Sequence, residues 1–158
     1  MTPEIVSTAD RPEFVPVVAR WLWCAFARGH GRTLEYMIDA VGKSVTASRM
    51  PRTFVLLADG SPRGTASLVV RDLEERPDLT PWLAGVYVDP AARRLGHATR
   101  LISAVERQAV ATGVPTLWLY TNTAERLYAR AGWRTVETIQ HNGAPHALMR
   151  RDFVTISE

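Results

Sequence analysis

Cysteine occurs once, at Cys24, so the chain can close no internal disulfide and build no multi-cysteine zinc site. A reducing compartment, the cytoplasm, is the expectation that follows. Like charges are not gathered into blocks of the kind that form nucleic-acid-binding tails: the net charge of +3 comes from arginines spread along the length. That mild excess suits an anionic small ligand as well as nucleic acid, but no recognition helix or aromatic RNA-binding signature accompanies it, and no nucleic-acid partner is expected. Long hydrophobic runs are missing too. The most apolar stretch, Val15 to Ala27, is broken by Arg20 and is too short to cross a bilayer. The opening MTPEIVSTAD has neither a basic n-region nor an apolar h-region, so neither secretion nor membrane insertion is expected. Internal repeats, low-complexity tracts and linkers are absent as well, which leaves one domain, residues 1–158, as the expectation.

What remains is an ordinary globular composition, 46% hydrophobic and 22% charged, over 158 residues, enough to bury a core without metal or disulfide staples. Ile5 to Thr8 reads as a short strand. From Glu13 to Arg28 the apolar residues Phe14, Val17, Val18, Trp21, Leu22, Ala25 and Phe26 recur at helical intervals, predicting a helix that buries Trp21 and Phe26 and ends at Gly29. Cys24 lies in that apolar helix with no neighbouring histidine or charge partner, and reads as a small packed hydrophobe rather than a nucleophile. Leu34 to Ala47 is helical behind a Thr33 cap, as one helix or, because of Gly42, two short pieces.

Thr53 to Ala58 and Thr65 to Arg71 are β-rich runs around the turn Asp59-Gly60-Ser61-Pro62, followed by a polar loop from Asp72 to Thr80. Trp82 to Val88 is a strand, with Gly85 marking a bulge, and Arg93 to Ala111 a helix. Thr116 to Tyr120 is a strand and Thr123 to Arg130 a short helix, while Trp133 to Gln140 and His146 to Val154 flank the hairpin turn Asn142-Gly143. The order β, α, α, β, β, β, α, β, α, β, β predicts an α/β (α+β) fold: one mixed, mostly antiparallel sheet of six to seven strands with about four helices on its faces. Its parallel, right-handed passage runs from Val86 to Thr116.

The chemistry concentrates in VYVDPAARRLGHATRLI, Val86 to Ile102, where a strand enters a basic turn that opens a long helix. Free N–H groups at a helix start, the helix dipole and the side chains of Arg93 and Arg94 together favour an anion around Gly96, His97, Ala98 and Thr99. Gly96 and Ala98 are small where a ligand's phosphate must approach the backbone. The segment Arg93-x-x-Gly96-x-Ala98 resembles the Gln/Arg-x-x-Gly-x-Gly/Ala signature of the GNAT acetyltransferases, and it follows the fourth strand, as in that family. Downstream, Leu127-Tyr128 and Gly132-Trp133 resemble the family's "FY…GF" segment. The element order resembles the GNAT fold over nearly the whole chain.

That resemblance implies acetyl-CoA as co-substrate, no metal, and a sheet splayed between its fourth and fifth strands. Val86 and Val88 would bond the pantetheine arm through their backbones, Asn122 would contact the cofactor, and Tyr128 would protonate the departing thiolate. Direct attack by an amine in a ternary complex is expected, since no activated nucleophile is present. The general base has no candidate: the fourth strand offers no glutamate, so a water chain or a side chain from elsewhere must serve. Three positions depart from the common pattern: Arg94 stands where many members have glycine, His97 replaces an aliphatic, and Ala98 is the rarer small residue.

For the acceptor, the resemblance brings Trp23, His30, Glu35, Tyr36, Asp78, Trp82 and His146 into view, against the plain alternative of packed aromatics, solvated charges and satisfied histidines. Trp82 and Tyr36 lead that set. A small-molecule amine ranks ahead of protein N-termini or lysines, and a non-catalytic CoA-binding module is the competing function. Arg63, Arg71, Arg76, Arg150 and Arg151 are expected on solvated surfaces. An apolar final hairpin is where GNAT proteins often form a homodimer.

Overall fold

The computed structural model describes residues 2–153. Its seven strands are β1 (Glu4–Ser7), β2 (Arg52–Ala58), β3 (Ser61–Val69), β4 (Trp82–Val88), β5 (Thr116–Thr121), β6 (Arg134–His141) and β7 (Ala144–Asp152). They form one sheet in the order β1-β2-β3-β4-β5-β7-β6. Every neighbouring pair is antiparallel except β4 and β5. The mixed sheet expected from the sequence is therefore present; Val154, placed in the last strand by the sequence pattern, lies outside the described residues. Both hairpins close on two-residue turns whose backbones are left-handed throughout: Asp59 (φ 53) with Gly60 (φ 80), and Asn142 (φ 50) with Gly143 (φ 77). Such turns match the twist of the strands they join. The first is tighter than the four-residue turn expected, because Ser61 and Pro62 already pair with β2, at a place where the register slips between Leu56 and Leu57. A proline without its N–H is tolerated at such an irregularity.

The first helix differs from its expectation. A 3-10 turn (Pro12–Phe14) leads into α1 (Val15–Leu22), and a π turn (Trp23–Ala27) completes it. The wider π turn takes more residues per revolution, so the apolar stripe loses phase after Leu22. Phe26, expected in the core, is 54% exposed, and Cys24, expected to be packed, is exposed; Ala27 is buried in their place. Trp21 stays partly buried and stacks on Tyr87 of β4 at 5.5 Å. Helix α2 (Leu34–Thr46) runs unbroken through Gly42, and the Thr33 hydroxyl caps it by accepting from the Tyr36 N–H at 3.0 Å.

Helix α3 (His97–Ala111) begins four residues later than the periodicity indicated, because Arg94 (φ 68) and Gly96 (φ 80) adopt left-handed conformations that no α-helix contains. With the short α4 (Glu125–Arg130) it covers one face of the sheet, where Leu101, Ile102 and Val105 meet Leu56, Leu83 and Leu117. On the other face α1 and α2 lie over Val55 and Leu57, and Leu73 of the β3–β4 loop lies over Trp82 and Leu148. Among the described residues no helix is long and apolar enough to cross a membrane.

Candidate active site

The site grows from a fork in the sheet. β4 and β5 share one registered pair, Trp82 with Trp118, and the Trp118 N–H donates to the Pro81 carbonyl at 3.1 Å just below it. Beyond that apex, from Leu83 to Val88, the edge of β4 that faces β5 pairs with no strand, leaving backbone donors and acceptors for another partner. β4 also carries the bulge that Gly85 suggested: Thr65 and Ser67 of β3 pair with Tyr87 and Ala84, so β4 has one extra residue in that interval. Gly85 is left-handed there (φ 62), and a Cβ on it would come within 3.2 Å of Leu22. A bulge bends the strand and re-aims its peptides. Val86 follows it, half-buried. Part of Val88 is already engaged, since its carbonyl accepts from Arg93 Nε at 2.9 Å.

That bond turns Arg93 back toward the fork, with its guanidinium 5.8 Å from the Tyr87 ring. Asp89 organises the intervening turn by accepting from the Ala91 N–H at 3.1 Å. Arg94, Gly96 and Thr99 are exposed and Ala98 is half-buried. The first helical bond of α3 runs from the Arg100 N–H to the Gly96 carbonyl at 3.2 Å, and no side chain caps the helix. The N–H groups of His97, Ala98 and Thr99 therefore lack helical acceptors. His97 is buried with Nδ1 unpartnered among the described residues. An uncapped helix start beside Arg93 and Arg94 has the donors and charge to hold a phosphate. A Cβ on Gly96 would touch nothing within 4 Å, so its left-handed backbone, not protein crowding, calls for glycine.

Tyr128 lies on α4, 7% exposed, with its ring edge-on to Trp133 at 6.3 Å. Burial alone pushes its hydroxyl up to about 12. The turn after α4 holds that pair. The Trp133 N–H donates to the Tyr128 carbonyl at 3.0 Å, and the indole N–H reaches Glu106 Oε2 of α3 at 3.0 Å. Gly132 is left-handed (φ 100), a backbone that calls for glycine, and the Arg151 guanidinium lies against it while donating to the Ala131 carbonyl. Asn122 is exposed just past β5, ahead of the bend where Thr121 Oγ1 accepts from the Ala124 N–H at 3.1 Å.

On the face away from α3 the acceptor residues need correction. Trp82 is fully buried, donates its indole N–H to the Leu79 carbonyl at 2.8 Å, and offers no surface to a ligand; it packs the apex of the fork. Tyr36 is 48% exposed on α2 beneath the Arg32 guanidinium at 4.2 Å. Trp23 is tied to the Arg32 carbonyl at 2.9 Å, and Asp78 to Arg76 at 3.1 Å. Four of the five arginines expected on solvated surfaces, Arg63, Arg76, Arg150 and Arg151, form ion pairs.

The structure adds a cluster of which only His146 was in view from the sequence. The rings of Tyr120 and His141 lie 5.1 Å apart, His141 and His146 5.4 Å, and Tyr120 and His146 5.7 Å. His141 Nδ1 meets Glu75 Oε2 at 2.7 Å. No periodicity links positions 75, 120, 141 and 146, so nothing in the chain's order announced this meeting.

The profile of the acetyltransferase (GNAT) family matches residues 15–133. The chain belongs to the GNAT acetyltransferase family. No curated protein matches its sequence. Solved structures with the same fold include an N-acetyltransferase from Staphylococcus aureus Mu50, 17% identical with a TM-score of 0.75, covering 96% of this chain and 99% of that one. Arabidopsis thaliana Naa50, in complex with the bisubstrate analogue CoA-Ac-MVNAL, is 13% identical with a TM-score of 0.70, covering 97% and 100%. N-acetylglutamate synthase from Neisseria gonorrhoeae, complexed with coenzyme A and N-acetyl-glutamate, is 18% identical with a TM-score of 0.67, covering 98% of this chain and 36% of the synthase.

In this GNAT chain, Val86, Val88 and Arg93 gather at the fork, and Arg94, Gly96, His97, Ala98 and Thr99 continue from its open end. Tyr128 and Asn122 follow β5 on its other arm. Trp82 stands at the closed end, away from any ligand.

Proposed function

We propose that this GNAT protein transfers an acetyl group from acetyl-CoA to the primary amine of a small molecule, within a ternary complex and without an acyl-enzyme. The fork between β4 and β5, running from the Trp82–Trp118 apex to the uncapped start of α3, carries this reading. The free edge of β4 at Val86 and Val88 suits the amides of a pantetheine arm, and the loop Arg93 to Thr99 suits its pyrophosphate. The gonococcal synthase and Naa50, solved with coenzyme A and a CoA-containing bisubstrate analogue, support acetyl-CoA as the ligand. Acetyl-CoA brings the thioester, and no residue role here calls for a metal.

The chain's own groups divide the work. A peptide N–H of the Gly85–Val86 bulge stabilises negative charge on the carbonyl oxygen. Tyr128 faces the leaving sulfur and Asn122 steadies the cofactor. At about 12 the phenol keeps its proton at neutral pH. Passing it to a thiolate of ordinary pKa, about 8.5, is uphill by roughly 5 kcal/mol. Transfer therefore coincides with loss of a proton from the attacking nitrogen, which reprotonates the phenol. Residues 1–158 act as one domain, in the cytoplasm, and a homodimer would form through the last hairpin, whose strand β6 is one of the two edges of the sheet.

Calorimetric titration with acetyl-CoA, wild type against Gly96→Glu, tests the proposal. Saturable binding lost in the variant supports it; a folded wild-type protein that binds no acetyl-CoA refutes it. Tyr128→Phe separates enzyme from non-catalytic module, since a sensor would be indifferent to the loss of that hydroxyl.

A further inference from the structure

The loop between β3 and β4 is tied down on two sides. Glu74 reaches Arg32, between α1 and α2, at 3.4 Å, while Glu75 meets His141 and Arg76 meets Glu137, both of β6, at 2.7 Å. Leu73 is 2% exposed and pins the loop onto Trp82 and Leu148. Exposed ion pairs stabilise a fold little, but together these hold Glu75 in place behind His141. The His141 side chain is only 20% exposed and is packed edge-on by Tyr120 at 5.1 Å and by His146 at 5.4 Å. A solvated surface pair needs no such wall.

The contacts fix where each imidazole carries its proton. The bond to His141 holds the Glu75 carboxyl below its usual range, so Glu75 is a carboxylate that only accepts, and His141 Nδ1 carries the hydrogen. His146 Nδ1 lies 3.0 Å from the Ala144 carbonyl, which likewise only accepts. Nε2 is left as the basic atom of both rings. It has no hydrogen-bond partner among the described residues in either ring, and in neither is it a buried, unsatisfied atom. Of the two, His141 has a carboxylate behind it, so a proton added at its Nε2 completes an ion pair already in register.

Strand register places these rings at the open end of the fork. Tyr120 follows Trp118 by two residues, roughly 7 Å along β5 from the apex, and its ring lies 6.1 Å from that of Trp82. Tyr120 pairs with Leu148 of β7, and His146 lies two residues farther from the apex on the same face. His146 pairs with Ile139 of β6, and His141 lies two residues farther again. Tyr120, Leu148 and Ile139 share the face of Trp82, while Leu119 and Tyr128 belong to the face covered by α3. An acyl group held in the gap has the imidazoles toward one face of the sheet and the Tyr128 phenol toward the other. Attack from one side and departure to the other need that arrangement.

We propose that His141, oriented by Glu75, is the base that takes the proton of the attacking ammonium, and that Tyr120 and His146 wall the acceptor's path to the fork. The proposal rests on the acetyl-transfer reading and supplies the base that β4 lacks. One ammonium N–H bond breaks toward His141 Nε2, freeing the nitrogen lone pair. That pair forms the C–N bond as the C–S bond breaks, sulfur leaves with its bonding electrons, and a second nitrogen proton reaches it by way of Tyr128. The imidazolium is held against Glu75 until water takes its proton. The Tyr120 ring attracts the cation before it reacts, so the class of acceptor is an alkylammonium, charged on arrival.

The test uses the full chain with n-butylamine, which is charged at neutral pH, and methoxyamine, which is not, read by release of the CoA thiol. His141→Gln keeps a donor for Glu75 but has no base. It should lower kcat/KM for n-butylamine by about 10²-fold, while the value for methoxyamine stays within about threefold and the acetyl-CoA Kd within about twofold. Glu75→Gln, a positioning residue acting through the ring, should show the same contrast at about tenfold. In the CoA-saturated protein, n-butylamine should shift the imidazole resonances of His141 and His146 saturably. Equal losses with the two amines would make His141 a wall and not a base, and undiminished n-butylamine turnover or unmoved imidazoles would remove it from the reaction; each overturns the proposal. Failure of the wild type to bind acetyl-CoA is a different result and strikes at the acetyl-transfer reading instead.

Discussion

Trp82 and Trp118 are partners across the only registered pair between β4 and β5, and everything attributed to the site lies on the open side of that pair. Trp82 is fully buried and its indole N–H is satisfied at Leu79, so it closes the fork by packing. Trp82→Ala should lower unfolding free energy by about 3–5 kcal/mol. A denaturant titration showing a loss under about 1 kcal/mol would mean that the apex closes without it.

Gly64 of β3 is needed for room. A Cβ there would stand 2.9 Å from the Tyr87 carbonyl oxygen and 3.0 Å from Leu101 Cδ1. The leucine can yield, but the backbone oxygen belongs to the bulged strand and cannot. Gly64→Ala should cost about 1–3 kcal/mol and displace β4 at Tyr87 and Val88. Denaturation, with acetyl-CoA affinity measured alongside, checks both halves; unchanged values in both contradict the crowding.

Arg93 couples the phosphate loop to the fork by its bond to the Val88 carbonyl. Removal of such a charge-assisted bond is worth about 1.5–3 kcal/mol. Arg93→Ala should accordingly weaken acetyl-CoA by about 10- to 100-fold, and Arg93→Lys should recover only part of that, because a lysine supplies charge without the fork of donors. Calorimetry decides; equal affinities in all three proteins would assign Arg93 to the surface.

Tyr128→Phe should lower kcat by about 10²-fold with acetyl-CoA affinity unchanged. Because burial holds the phenol at about 12, no downward limb from its ionisation should enter the wild-type pH profile below about pH 10. A wild-type limb that disappears in the variant at lower pH would contradict this environment.

Two aspartates should tilt stability against pH in opposite senses. Asp152 is held down to about 2 by Arg150, Thr116 and Arg134. Its contribution is complete above its unfolded value of 3.8 and is lost as pH falls from there toward 2. Asp72 is raised to about 7 from 3.8, so the folded state holds the extra proton and stability declines as pH climbs between those values. Asp72→Asn should remove that decline and Asp152→Asn the acid-side loss, both read from thermal melts across pH.

The parts legible in the chain were those set by neighbours in sequence. Asn142-Gly143 announces its hairpin because both residues tolerate left-handed backbone, and Thr33 announces α2 because its hydroxyl can reach the Tyr36 N–H. Gly85 carried its bulge on the same ground. Phe26 and Cys24 were misplaced where a π turn changed the helical period, which the apolar spacing does not encode. Trp82 looked available because an aromatic at the start of a strand has the same letters whether it packs or binds.

Local stereochemistry was thus written in the sequence: the turns, the helix stripes, the bulge glycine, and the order of small and basic residues from Arg93 to Ala98. The tertiary structure alone decided how far β4 and β5 stay paired, which face Tyr120 shares with Trp82, and that Glu75, Tyr120, His141 and His146 meet. Contacts within a few residues follow from backbone and side-chain preferences. Contacts between residues 75 and 141 depend on where a seven-stranded sheet places its edges, and that placement is a property of the whole packed chain.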